Sequence, residues 1–378
     1  MEKRHYELDT RVLAVFFFVA IPFLAVGALI VINVARASLE TAVGDSFEQR
    51  ALELKLNVEG YVADQFLFLR QLSLDPGLRT ALAAPARKIE DDKKHEQAWA
   101  AGDADLQRTI VGSPLAGRLR EVAQIHPGIK MLQLIDQNGR LVASTARGGR
   151  FANQDTNFFR GISGGPVEQA GYVGDIQRPP NSTTAVLELV YPIRDASDGH
   201  LMGALRSMVD AFDLYNHVLA PVRVGSTGRA VLLRSEDGLI LASDDNRSVL
   251  SDLFPAYPVI QAAQVVREGH WLLPEVKTKD AAGQTTREPK RVAGYCAVDK
   301  IPGVHWTLVI QQDLDEAIAP VRGITWSLLL HFVAVFAVSI VLAFYFSFKL
   351  ETPVIEDDLH LHEEHLPQAW RPTGTEGS

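Results

Sequence analysis

Between Met131 and Ser144 an apolar run gives way to Asp136-Gln137-Asn138-Gly139, then to a second apolar run, Leu141-Val142-Ala143-Ser144. This is the pattern of strand, turn and strand. The Asn-Gly pair predicts a type I′ hairpin, in which both central residues need positive φ. The phrase returns 99 residues on, at Ala230–Ser243, with Asp237-Gly238 at the turn and Ala143 and Ser144 matched by Ala242 and Ser243. Each copy is followed by a second pair of apolar runs. Tyr191–Ile193 leads through Asp198-Gly199 to Leu201–Val209, and Gly294–Val298 leads through Pro302-Gly303 to His305–Gln311. The repeat predicts two successive antiparallel modules of about 100 residues, a domain-sized period.

Before the first copy the period changes from two to three and four. Leu39, Val43, Phe47, Leu54, Val58, Tyr61, Phe66, Leu69 and Leu72 trace one face of a helix over Ser38–Leu74. Two other blocks have no polar face to read. Val12–Val34 and Ile324–Phe348 each run past 20 residues without a charge, and about 20 apolar residues span a bilayer as a helix. Trp326 and Tyr345 stand near the ends of the second, where amphipathic rings favour the interface. The first exceeds the apolar core of about 7–15 residues found in a cleaved signal peptide. Lys3, Arg4 and Arg11 precede it, which orients the N-terminus to the cytoplasm. The expectation is a two-pass membrane protein with 36–322 outside and both termini in the cytoplasm.

Pro85–Gln107 is almost wholly polar apart from Trp99 and is expected as a solvated helix or loop with no chemistry. Thr145–Thr184 is irregular and rich in Gly, Asn, Asp and Pro, yet it carries Asp155, Phe158, Phe159, Arg160, Tyr172 and Asp175. That composition suits a pocket, or a surface loop tucked down by its phenylalanines.

Net charge is −9, and no basic stripe offers itself to phosphates, so nucleic acid is not expected as a partner. The single cysteine, Cys296, excludes an internal disulfide and reads as a buried small hydrophobe. Gly161-Ile162-Ser163-Gly164-Gly165 matches G-x-S-x-G literally but lacks the strand before and helix after that a nucleophile elbow needs. No nucleophile–base pair or metal-ligand spacing stands out, so neither an enzyme, a cofactor nor a metal site is expected. The segment 349–378 holds seven acids beside His360, His362 and His365 and reads as a solvated acidic tail.

The two hairpin copies, the Asp-x-x-Phe-Phe stretch at Asp155–Phe159, the Gly225-Ser226-Thr227-Gly228 turn and the closing Trp306 strand together resemble a double Cache domain, an extracytoplasmic ligand sensor of bacterial receptors. The resemblance covers about Ser38 to Val321. It implies an α+β fold, with a long N-terminal stalk helix and two tandem PAS-like antiparallel-sheet modules, flanked here by two transmembrane helices. The ligand is implied to sit in the first module, under the loop that follows the hairpin. Amino-acid-binding members place an arginine before the aromatic pair and an acid late in this module. Here Thr156 stands near the first place, Arg160 follows the pair, and Gly203–Met208 offers Arg206 and no acid. The implied ligand-binding set is Asp155, Phe158, Phe159, Arg160, Tyr172, Asp175 and Arg206, with the two arginines suited to an anion.

The expected organisation is a cytoplasmic N-terminus at 1–11, a first span at 12–35, and the sensor at 36–322. Within the sensor, the distal module is about 110–215 and the proximal about 222–315. A second span at 323–348 and the acidic cytoplasmic tail at 349–378 complete the chain. After Lys349 the residues Leu350–Ile355 resemble the opening of a HAMP linker, but 30 residues cannot build an output domain. The function expected is a small-molecule sensor anchored in the lipid bilayer, a homodimer, that signals through a separate cytoplasmic signalling protein. A truncated or degenerate receptor and a ligand-capture accessory of a transport system are the alternatives.

Overall fold

The structure is a computed structural model that describes residues 2–84, 92–164, 171–179, 182–222, 224–244, 248–250, 257–279 and 285–319, with part of 327–341. Side chains at 2–21, at a few positions up to 28, at 257–258 and 260, and at 276–288 are not described. The chain divides into one compact unit of Ala35–Pro320 and another made of Met1–Val34 with Val321–Ser378. Most of the two apolar blocks, and all of the tail, lie outside the residues whose side chains are described. Among the described residues no helix is long and apolar enough to cross a membrane.

Helix α1 (Glu2–Leu72) buries Phe47, Ala51, Leu54, Val58, Val62 and Leu69, the face that the three-four spacing marks out. Short helices follow: α2 (Pro76–Ala83), α3 (Asp92–Ala101), α4 (Ala104–Ile110) and α5 (Pro114–Ile125). Asp75, Asp103 and Ser113 cap α2, α4 and α5 by accepting from amides of the first turn. Strands β1 (Ile129–Asp136) and β2 (Leu141–Ser144) lead to α6 (Asn157–Gly164), then β3 (Tyr172–Val173), β4 (Val186–Arg194) and β5 (Leu201–Asp210). After α7 (Ala211–Leu214) come β6 (Arg229–Arg234), β7 (Ile240–Ala242), α8 (Tyr257–Val265), β8 (Glu268–Leu273), β9 (Val276–Lys279) and β10 (Thr285–Glu288). β11 (Arg291–Val298), β12 (Trp306–Asp313) and α9 (Leu314–Ala317) close the unit.

The repeat seen in the sequence is a repeat of topology. The first sheet has the order β2-β1-β5-β4-β3 and the second β7-β6-β12-β11-β8. All their pairings are antiparallel. Both are five-stranded, and β9 and β10 form a separate polar hairpin. The alternation of side chains gives each sheet two apolar faces. One face of both sheets joins the α1 core, which runs through Leu132, Leu187 and Leu205 in the first and Val292, Cys296 and Leu308 in the second. Along α1 the second sheet comes first. Gly44 meets His270, Phe47 meets Gly294, and the Cys296 thiol donates to the Ala51 carbonyl at 3.1 Å. Further on, Tyr61 donates to Asp213 at 2.7 Å and Phe66 packs by Gly171, both of the first module.

The first hairpin turn differs from the type I′ expectation. Gly139 is left-handed (φ 77°) but Asn138 is not, and the Gly139 amide donates to the Asp136 carbonyl at 2.9 Å. The Asp136 carboxylate accepts from the amides of Asn138 and Arg140, which holds a type I turn closed by a glycine bulge.

Candidate functional site

The face of the first sheet turned away from α1 carries Met131, Gln133 and Ile135 of β1, Ala204, Arg206 and Met208 of β5, and Val186, Glu188 and Val190 of β4. Most of it is apolar, as a sheet face under a lid should be. Its centre is not. Gln133 lies opposite Arg206, and Arg206 opposite Val190, in the strand register. Arg206 Nε donates to Glu188 Oε1 at 2.5 Å, and Nη1 donates to Gln133 Oε1 at 3.0 Å. Gln133 Nε2 donates onward to the Gly148 carbonyl at 3.0 Å. Gln133, Glu188 and Arg206 are 1%, 7% and 7% exposed. A guanidinium and a carboxylate this far from water persist because each supplies the other's charge, and because the amide takes up a further N–H.

The cover comes from the irregular loop and from the polar segment before the sheet. Phe158 of α6 lies under the Arg206 guanidinium, whose carbon is 4.8 Å from the ring centre, a cation–π contact in a desolvated place. Two glycines bring backbone close to the pair. A Cβ at Gly149 would stand 3.0 Å from Arg206 Nη1, and one at Gly174 2.7 Å from Glu188 Oε2. Helix α3 locks the loop from outside. Trp99, 2% exposed, donates Nε1 to the Gly149 carbonyl at 3.1 Å. Glu96 accepts from the amides of Phe151 and Ala152, both at 2.8 Å. Asp92 pairs with Arg140 at 2.8 Å, and that guanidinium holds the Asp92 carboxyl below its usual range. The solvated helix or loop expected here, with no chemistry assigned, is helix α3, and two of its side chains hold the loop's backbone. The polar face of α3 is spent on the loop's backbone.

The residues expected at the site separate into four groups. Phe158, Tyr172 and Arg206 come together, with the Tyr172 ring 6.4 Å from that of Phe158. The Tyr172 hydroxyl is pushed up in pKa, first by burial and then by the charges of Glu188 and Asp175. Phe159 is buried in the apolar cluster that joins Ile162 and Phe151 of the cover to Ile135, Val190 and Ala204 of the sheet. Asp155 and Arg160 face outward, Asp155 paired with Arg150 at 3.0 Å and Arg160 donating to Asn157 at 2.8 Å. Asp175 reaches away from the cluster to Arg234 of the second sheet, at 2.6 Å. Arg178 also leaves the loop, donating to the Val249 carbonyl at 3.1 Å.

Three members of the constellation escaped the reading of the sequence. Glu188 is a buried acid on β4, one strand over from the β5 stretch where an acid was looked for. A charge inside Val186-Leu187-Glu188-Leu189-Val190 was the available signal, since a strand with both faces buried does not carry one idly. Gln133 breaks the apolar run of β1 in the same way. Trp99, alone in a polar segment, marks where α3 docks.

A separate cleft of about 500 Å³ opens between the first sheet's hairpin turn and the helices α2 and α4. Leu82, Leu106, Ile110 and Phe151 line it, with Asp136 and Arg140 at the turn.

Residues 35–321 match the family model dCache_1, described as Cache domain. Among solved structures, the ligand-binding domain of the Pseudomonas aeruginosa amino acid chemoreceptor PctB in complex with L-Arg is 14% identical. That match covers 73% of this chain and 97% of that one at a TM-score of 0.43. The ligand-binding domain of the Campylobacter jejuni chemoreceptor Tlp3 in complex with 4-methylisoleucine is 13% identical (74% and 94% covered, TM-score 0.47). A domain of a sensory box/GGDEF family protein from Vibrio parahaemolyticus is 14% identical (74% and 99%, TM-score 0.47). No curated protein matches the chain.

Proposed function

The chain belongs to the Cache-domain family in its double form over residues 35–321, and from that premise we propose that it is a membrane-anchored receptor for a small zwitterion. The observation that carries the ligand class is the buried Arg206–Glu188 pair under Phe158. A ligand with one charge would take one partner and strand the other. Leaving a buried charge unpaired costs about 3–5 kcal/mol. A ligand with both an anionic and a cationic group can replace the internal pair with two external ones and leave no charge alone. This moves the reading from the simple anion suggested by two arginines, because Arg160 faces solvent and Arg206 already has an acid. Phe158, Tyr172, Met131 and Met208 supply apolar walls for the ligand's body, and the loop held by α3 is the element that would open.

The rest of the reading follows the sequence. The apolar blocks at 12–35 and 323–348 anchor the sensor in the inner membrane. Helix α1 carries the response, and a cytoplasmic signalling protein receives it. The functional modules divide at about 110–215 and 222–315. Two copies pair along α1, where Leu56 and Leu67 stand half exposed eleven residues apart, close to three turns and so on one line.

The test is calorimetric titration of the full chain in detergent with three ligand sets: amino acids and other zwitterions, simple carboxylates, and simple amines. Saturable binding of a zwitterion, weakened at least tenfold in Glu188→Gln and in Phe158→Ala, is expected. Binding of a carboxylate that survives Glu188→Gln would sink the zwitterion reading. Ligand-independent behaviour across all three sets would favour the degenerate receptor.

A further inference from the structure

Near the beginning of the Cache unit, α1 and the edge strand of the second sheet bring three metal-ligating side chains to one point. Asp45 and Glu48 are three apart on α1 and so share a face. His270 reaches them from β8. His270 Nδ1 is 3.4 Å from Asp45 Oδ1 and 3.5 Å from Glu48 Oε2, and the three donor atoms all lie within 4.8 Å of one another. Both contacts are longer than a good N–H···O bond, roughly 2.7–3.2 Å. They are close to the edge of a tetrahedron around a zinc-sized ion, roughly 3.3 Å for ligand bonds near 2.0–2.1 Å. Gly44 gives the imidazole its place: a Cβ there would stand 2.3 Å from the ring, so the ring lies flat on bare backbone beside Asp45.

We propose that Asp45, Glu48 and His270 form a site for a divalent transition metal of the Zn²⁺ class, which clamps α1 to β8. One imidazole nitrogen and two carboxylate oxygens suit a first-row divalent ion and disfavour Ca²⁺, which takes oxygen alone. Two carboxylates and a neutral imidazole carry two negative charges, which the ion cancels. The side chains of Asp45, Glu48 and His270 are 64%, 26% and 30% exposed, so water completes the coordination and the ion exchanges with solvent. A metal here ties the helix to the edge strand of the second sheet, at a place distinct from the Arg206 cluster.

The full chain in detergent, stripped with a chelator, is titrated calorimetrically with ZnCl₂. One ion per chain with micromolar affinity is expected, weakened at least tenfold in His270→Ala, Glu48→Gln and Asp45→Asn. The near-isosteric carboxylate variants keep the test decisive where His270→Ala disturbs the fold. A variant with His360, His362 and His365 replaced by alanine should keep the site. Absence of binding, binding unchanged in Glu48→Gln and Asp45→Asn, or binding lost only with the tail histidines would each overturn the proposal. In any of those cases His270 packs between two acids and nothing more.

Discussion

At the scale of single residues, the Arg206–Glu188 pair makes the sharpest demand. Glu188→Ala leaves a guanidinium 7% exposed with only Gln133 and the Phe158 ring for company. The expected loss is about 3–5 kcal/mol in urea denaturation. Replacing both members with methionine removes the stranded charge as well as the pair, so Glu188→Met with Arg206→Met should lose much less than Glu188→Ala alone. If the double variant is the worse of the two, the pair contributes to stability in its own right. A second residue-scale test concerns Gly294. A Cβ there would lie 2.2 Å from the Phe47 carbonyl, and backbone cannot yield as a side chain does. Gly294→Ala should cost at least the roughly 1–3 kcal/mol of overpacking, whereas Gly117→Ala, which meets nothing within 4 Å, should be neutral or stabilising. The sequence made neither case plain: a glycine's neighbours are set by tertiary packing, and Glu188 was legible only as a charge in the wrong place. Cys296 was legible outright. It is buried, and burial pushes its thiol up to about 12, so a thiol reagent should react only on unfolding.

At the scale of elements, repeats and periods were readable and docking was not. Hydrophobic period marked the buried face of α1, and the two hairpin phrases marked β1–β2 and β6–β7, because those patterns are imposed by local geometry. What α3 touches depends on residues 50 positions away, and its polar composition hid a role made of hydrogen bonds to backbone. The Gly225–Gly228 turn shows the same divide. Its sequence signalled a turn, but the turn's partner is Glu316 of α9, which accepts from the Ser226 amide at 2.6 Å, the Thr227 amide at 2.9 Å and both hydroxyls. Those donors hold the Glu316 carboxyl far below its usual range, the Ser226 amide foremost. A group whose pKa is depressed on folding stabilises fully above its unfolded value, about 4.3, and progressively less as pH falls below it. Thermal melts of wild type and Glu316→Gln should therefore differ most above pH 5, with a gap that shrinks steadily as pH falls below about 4. A gap that widens on acidification would contradict the clamp.

At the scale of the molecule, the two sheets are not independent bodies joined by a linker. Each lays one face on the same helix, and one apolar core runs from Phe47 and Val292 through Leu54 to Leu132 and Leu205. Two more ties cross between the modules from the segment that follows β3: Asp175 to Arg234, and Arg178 to the Val249 carbonyl. The ion pair is 39% and 29% exposed, so it adds little stability, about 0–1 kcal/mol. Its interest is its position, since a loop that opens over Arg206 must carry Asp175 with it. The shared helix makes the stronger prediction. Leu54 is fully buried, and Leu54→Ala should cost about 2–5 kcal/mol. If α1 is common structure for both sheets, hydrogen exchange in that variant should accelerate together in β4–β5 and in β11–β12, and the melt should remain a single transition. Acceleration confined to β11–β12, the sheet that Ala51 touches, would mean that the modules open separately. The ligand signal would then have to cross through Asp175 and Arg178 rather than along the helix, and Asp175→Asn should uncouple ligand binding from protection of the second sheet.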